Sequence, residues 1–290
     1  MKIPFPIDTS FVSQAFDLKL VGQNIPIYGF SIPDNQKENT IIWTKTNHVF
    51  LNLKKGIIIA PESFESIAIE GVTYLFCSKS PRLIFAKIIN KYFSHLFPDD
   101  LTNFVHEHKN NKSIKIGENC FIAKNVKIGA DTIILHNTSI FENTVIGNNC
   151  LIQSGCSLGT SGLGFEYDGE EIVNFPQLGG VVIKNNVEIG PNSTIRKGAL
   201  GNTIIEDGCK IGALSNIGHN SHIGAQSILT CQCIIGGSAV LGKRVFMGMN
   251  SIIKNKIVIG NNTVIGMGAV VTKNFPSDIT IIGIPAKIKK

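Results

Sequence analysis

The sequence predicts a mainly β protein, a parallel β-helix of hexapeptide repeats preceded by a small α/β domain. Three observations predict it. One aliphatic residue returns at every sixth position over most of the stretch from Ile116 to Val271. The residue after it is repeatedly Gly, as in Ile128-Gly129, Ile211-Gly212 and Ile223-Gly224, and residues before about 100 carry no such period. A helical face repeats near three and four and a strand at two, so a strict six needs another geometry. Six residues forming one short strand and one corner supply it. Three such strands close a triangular coil, and its inward residues stack on those of the next coil.

The series runs unbroken from Ile116 through Ile122, Ile128, Ile134, Ile140, Ile146 and Ile152 to Leu158. It resumes at Ile183, Ile189 and Ile195, slips again, and then holds from Ile205 to Val271. Corners need backbone freedom, which Gly and Asn provide.

Composition adds limits. A chain of 290 residues is long enough for two domains and a sizeable core. The net charge of +6 suits acidic ligands such as nucleotides, coenzyme A or an acidic carrier protein, although such a charge speaks mainly to solubility and encounter rate. Seven cysteines form an odd number with no CxxC pair. They read as small apolar fillers in a reducing compartment rather than a disulfide framework or zinc site. Met1 to Asp8 holds two prolines and no apolar run, which argues against a signal peptide or membrane anchor and for a cytoplasmic protein.

In chain order, residues 1–98 form the α/β domain. Ser10 to Leu20 reads as a short amphipathic helix, and Ile25 to Phe30, Thr40 to Thr44, Gly56 to Ala60 and Val72 to Cys77 read as strands. Ser80-Pro81 is an N-cap with proline at the first helical position, opening a helix that continues to Phe97-Pro98. The polar segment 99–112 reads as a linker, 113–275 as the β-helix with a loop insertion at 159–182, and 276–290 as a tail. The insertion, with Phe175-Pro176-Gln177-Leu178-Gly179-Gly180, is the first candidate for a substrate wall. The second slip carries Arg196 and Lys197, expected to project from the coil at one place. His219 falls at an outward corner two residues after the inward Ile217. His222 belongs to another part of the same hexad, and the two lack the helical spacing of a metal site.

The run Phe175 to Ile183, then Val187-Glu188-Ile189-Gly190, Lys197-Gly198-Ala199-Leu200 and Ile217-Gly218-His219-Asn220, resembles the UDP-3-O-acylglucosamine N-acyltransferases of lipid A synthesis in order and spacing. The similarity runs from residue 3 to about 275. The resemblance implies a left-handed coil and a homotrimer with active sites between neighbouring coils. It also implies a uridine-binding N-terminal domain. By it, His219 is the general base and the backbone N–H of Gly237 the oxyanion donor. Trp43 is the aromatic stacked on uracil, with Asn47 and Phe50 as looser matches. From its position alone, Trp43 is equally a core indole. Phe175, Gln177, Asn220, Arg196, Lys197 and Lys256 complete the expected substrate-binding set. The implied reaction is direct transfer without a metal or covalently bound cofactor, the co-substrate being an acyl carrier protein phosphopantetheine thioester or an acyl-coenzyme A. Nucleic acid is not among the expected partners.

Three departures bear on donor and acceptor. Lys256 stands where that family often has a second histidine, and Arg196-Lys197 replaces Asp-Arg. The closing Gly283-Ile284-Pro285-Ala286-Lys287 resembles the tail of coenzyme A dependent sugar acetyltransferases rather than a helical extension. The sequence therefore points to N-acyl transfer onto a UDP-linked or other nucleotide-linked amino sugar. One alternative is coenzyme A dependent N-acetylation of a deoxyamino sugar for a surface polysaccharide. A remote one is a non-catalytic or metal-binding β-helix.

Overall fold

A sixfold period becomes a three-sided coil because residues eighteen apart lie on successive turns. The computed structural model describes residues 6–32, 37–46, 56–69, 71–96, 102–109 and 111–289. Ile116, Ile134 and Ile152 begin a first parallel sheet, Ile122, Ile140 and Leu158 a second, and Ile128, Ile146 and Ile183 a third. The sheets hold ten, eight and seven strands respectively. Most of these strands are two residues long, so each contributes few ladder bonds. The buried aliphatic stack inside the coil stabilises it more, by about 1.5–3 kcal/mol per fully buried side chain.

Corners explain the recurrence of Asn. Asn119, Asn125, Asn137 and Asn143 all sit in the left-handed region, with φ of 56°, 65°, 59° and 60°, which Asn tolerates better than most residues. Leu214, Arg244 and Lys256 are held in the same conformation at 59°, 55° and 62°. Two polar ladders run along the corners. In the inner one, small buried side chains donate to a carbonyl of the next coil, as Thr132 Oγ1 does to Gly147 O (2.8 Å) and Ser221 Oγ to Gly236 O (3.1 Å). Cysteines occupy the same position: Cys150 Sγ donates to Lys184 O (3.1 Å) and Cys209 Sγ to Gly224 O (3.2 Å). In the outer ladder a side chain one coil below accepts the corner N–H. Asn148 Oδ1 takes that of Ala130 (2.8 Å), Asn261 Oδ1 that of Lys243 (2.8 Å) and His136 Nδ1 that of Glu118 (2.9 Å).

Both ends of the coil are covered. The segment expected to be a linker contains a short helix, Val105–Lys109. It lies on the first coil, where Asn103 Oδ1 accepts the Ile122 N–H (3.0 Å) and the Phe104 N–H donates to Ile122 O (2.8 Å). An open strand edge needs such partners, so the segment is structural. At the other end Thr280–Ile282 joins the first sheet and Lys287–Ile288 pairs back on it antiparallel, burying Ala286.

The chain divides into two compact units, Met1–Phe97 with Gly164–Pro176, and Pro98–Leu163 with Gln177–Lys290. Most of the insertion expected to belong to the coil therefore belongs to the first unit. There it forms a hairpin, Phe165–Asp168 paired with Glu171–Asn174. The reason is charge. Glu166 pairs with Arg82, and Asp168 with Lys87 and with Lys79 (2.9 Å), all three cations on or beside helix Pro81–Tyr92. The Ser80 hydroxyl, expected to cap that helix, donates instead to Glu166 (3.2 Å).

Among the described residues the first unit also holds a five-stranded sheet in the order Lys19–Val21, Thr73–Cys77, Ile57–Pro61, Thr40–Trp43, Gly29–Phe30, parallel except at the first pair. Ile42, Ile58, Tyr74 and Phe76 pack one face together with Phe64. Helix Thr9–Phe16, capped by the Asp8 carboxylate on the Phe11 N–H (2.8 Å), ends earlier than expected, because Asp17 turns left-handed (φ 52°) and Leu18 leads into the first strand.

Candidate active site

The corner between the second and third sheets is where both interruptions of the sixfold series fall. His219, Gly237 and Asn255 follow there on successive coils, each two residues after an inward isoleucine. His219 is half-buried. Its Nδ1 lies 3.0 Å from Asn220 Oδ1, and the same oxygen accepts the Ala199 N–H at 2.9 Å. A backbone N–H can only donate, so this contact fixes which end of the carboxamide is oxygen. Nδ1 of His219 must then carry a proton, and Nε2 the lone pair. Asn220 is itself held by its N–H on Thr203 Oγ1 (2.9 Å).

Two glycines flank the ring. A β-carbon on Gly237 would stand 2.7 Å from His219 Nε2, and one on Gly162 would stand 2.8 Å from Cδ2 and 2.9 Å from Gln177 Oε1. Only glycine allows this approach on either side. Among the described residues the Gly237 N–H has no acceptor, while its carbonyl takes the Lys256 N–H (2.9 Å). A lone pair and an unused N–H thus lie side by side, an arrangement able to take a proton from a nucleophile and to stabilise negative charge on a carbonyl oxygen.

The structure brings His219, Asn220, Gly237, Gln177, Arg196, Lys197 and Lys256 to this one corner. Arg196 reaches back to Ser161 O (3.1 Å), tying down the segment that carries Gly162. Lys197, expected to project, is only 4% exposed, and its N–H donates to Thr160 O (2.9 Å). Burial lowers the pKa of its ammonium, the charge of Glu142 partly opposing this. Asn220, expected to touch substrate, spends its oxygen on His219 and Ala199. His222 faces outward and pairs with Glu206 (3.1 Å). Nothing in the sequence assigns Gly162, Ala199 or Thr203 a place at the site. Ala199 and Thr203 act through atoms that any corner residue or small polar residue supplies, while Gly162 lies within a glycine-rich run with nothing to indicate its neighbour.

Within the first unit, Trp43 is half-buried on its strand and meets Phe175 edge to face, with ring centroids 6.2 Å apart. Phe175 is 4% exposed. It is stacked on Phe85 at 6.0 Å and covered by the Arg82 guanidinium at 4.1 Å. Asn47 and Phe50 lie outside the described residues. Among the described residues no three metal-ligating side chains converge, and no helix is long and apolar enough to cross a membrane.

Coil and corner together define a hexapeptide-repeat β-helix protein, and the family described as Bacterial transferase hexapeptide (six repeats) matches residues 238–273. Similar curated proteins carry a more particular name. UDP-3-O-acylglucosamine N-acyltransferase of Dechloromonas aromatica is 51% identical over 76 residues, 26% of this chain and 22% of that protein. The enzyme of the same name from Saccharophagus degradans is 56% identical over 77 residues, 27% and 23% of the two chains. The matches therefore span less than a quarter of those relatives. Among solved structures, LpxA from Acinetobacter baumannii superimposes with a TM-score of 0.54 at 24% identity, covering 61% of this chain and 67% of that one, a likeness of fold.

Proposed function

We propose that this protein is an N-acyltransferase that moves an acyl group from a thioester to the amino group of a UDP-linked or other nucleotide-linked amino sugar. One observation carries the reading: His219 has a fixed tautomer, its Nε2 lone pair against Gly237, whose N–H is unused. The name shared by the similar curated proteins supports the choice of substrate.

The acceptor amine attacks the thioester carbonyl carbon. As the C–N bond forms, His219 Nε2 takes the amine proton and the carbonyl π electrons move onto oxygen, whose negative charge is stabilised by a hydrogen bond donated by the Gly237 N–H. Collapse of the tetrahedral intermediate breaks the C–S bond. The thiolate leaves with the proton from His219, giving an amide and a free thiol. The donor is an acyl carrier protein or an acyl-coenzyme A, Trp43 in the first unit stacks on the nucleotide base, and the working assembly is a homotrimer. A second reading, coenzyme A dependent acetylation of a deoxyamino sugar, draws on the tail from Gly283 to Lys287.

Purified protein assayed with UDP-amino sugars against 3-hydroxyacyl carrier protein and against acetyl-coenzyme A separates the two readings. His219→Ala is expected to lower turnover by roughly 10²–10⁴-fold, with secondary structure and oligomeric mass by light scattering unchanged. Unaltered turnover would remove His219 from the mechanism.

A further inference from the structure

The outer ladder shows what can lie beneath a corner N–H. At several corners a short polar side chain one coil below, at the same hexad position, accepts the N–H, as Asn148 does for Ala130 and Asn261 for Lys243. Gly237 stands at this position, and Asn255 is the residue one coil below it. Its backbone is packed hard under the coil above, since a β-carbon on Gly236 would stand 2.4 Å from the Asn255 nitrogen. An Asn oxygen at this place could take the Gly237 N–H, as those of Asn148 and Asn261 take the N–H groups above them. Among the described residues this bond is not made: the Gly237 N–H has no acceptor, and the exposed side chain of Asn255 has no partner.

The acceptor slot that several other corners fill with an Asn oxygen is open here, directly below a histidine whose lone pair faces Gly237. An acceptor oxygen arriving from elsewhere can take it. With the slot taken by such an oxygen, the Asn255 carboxamide beside it can present only its Nδ2–H₂ favourably, because its own oxygen would meet a like charge.

We propose that Asn255 is a second oxyanion donor, its side-chain amide acting with the Gly237 N–H on the carbonyl oxygen of the thioester during acyl transfer. This rests on the acyltransferase reading above. The step adds no new reactant, since the electron pair leaving the carbonyl π bond is shared between two hydrogen bonds instead of one and returns when the C–S bond breaks. Asn255 is a catalytic residue in this scheme, distinct from Asn220, which positions the base.

The test uses the full chain with the UDP-amino sugar and thioester pair turned over by the parent protein. Loss of one oxyanion donor typically lowers kcat by about 10²–10³-fold, so Asn255→Ala is expected to lower kcat by about that factor with KM little changed. Asn255→Asp, nearly isosteric at an exposed site, is expected to fall further, because a carboxylate repels the developing charge. Asn255→Gln, which keeps a donor, is expected to recover part of the rate. Equal losses in the Ala and Asp variants accompanied by a lowered thermal midpoint would overturn the proposal in favour of a structural role. An Asn255→Ala kcat within about twofold of the parent, with His219→Ala inactive, would overturn it and leave the base in place. Full activity in both variants would instead overturn the acyltransferase mechanism.

Discussion

Nδ1 of His219 and Oδ1 of Asn220 are 3.0 Å apart, and the oxygen is already engaged by the Ala199 N–H at 2.9 Å. The tautomer of the imidazole is thereby set by a backbone amide from the second register slip. What interrupts the repeat is also what sets the tautomer of His219.

Gly162→Ala tests how closely the excursion is fitted to the ring. The added methyl would enter within 2.8 Å of the imidazole and 2.9 Å of Gln177 Oε1. Either the loop or the ring must shift, and a misplacement of this size can cost on the order of 10²-fold. Turnover should fall at least about tenfold while the thermal midpoint stays near that of the parent. Full activity would show that the loop yields without moving His219.

Trp43→Ala is expected to weaken UDP-sugar binding by about 1–3 kcal/mol, the usual worth of one base stacked on an aromatic ring. Calorimetry showing unchanged affinity would make Trp43 a packing partner of Phe175 and nothing more.

Thiol reactivity reports on the interior of the coil. Six cysteines are buried and Cys231 is exposed. Burial pushes the thiols of Cys77 and Cys209 up to about 11, the charges of Glu62 and Glu206 respectively adding to it. A chromogenic disulfide reagent at neutral pH should titrate one thiol quickly in native protein and all seven after denaturation. Rapid modification of a second thiol other than Cys77, which lies in the first unit, would mean that the coil opens.

Acid should release the hairpin from helix Pro81–Tyr92. Hydrogen bonds from Lys87 and then Lys79 bring the Asp168 carboxyl down to about 2. For Glu166, burial pulls upward, but the hydrogen bond and charge of Arg82 hold it below its usual value. Both folded values lie under the unfolded ones, so their stabilisation is complete above roughly pH 5 and is lost as pH falls toward about 2. The fluorescence of Trp43, the single tryptophan, which lies against Phe175 at the foot of the hairpin, should change over that window. Asp168→Asn should remove much of the change, and an unaltered acid transition would assign it to other carboxylates.

The coil was legible because burial on three repeating faces leaves a period that nothing else produces, from Ile116 to Val271. His219 could be placed at a corner by counting from Ile217. The tautomer could not be read, since it depends on Ala199, whose position follows from a slip that breaks the count. Nor could the allegiance of the hairpin, which rests on Arg82 and Lys87 meeting Glu166 and Asp168 more than eighty residues away. The polar run around Asn103 looked solvated because its composition is that of a linker. Its side-chain oxygen is nevertheless committed to the backbone of Ile122.

That commitment has a consequence for solubility. A stack of identical rungs ending in bare amides and carbonyls is a template on which another molecule's last rung can add, and repetition of that event makes a filament. Asn103 and Phe104 at one extremity, and the returning strand Lys287–Ile288 at the other, occupy those positions from within the same chain. Molecules of this protein are thereby discouraged from polymerising head to tail.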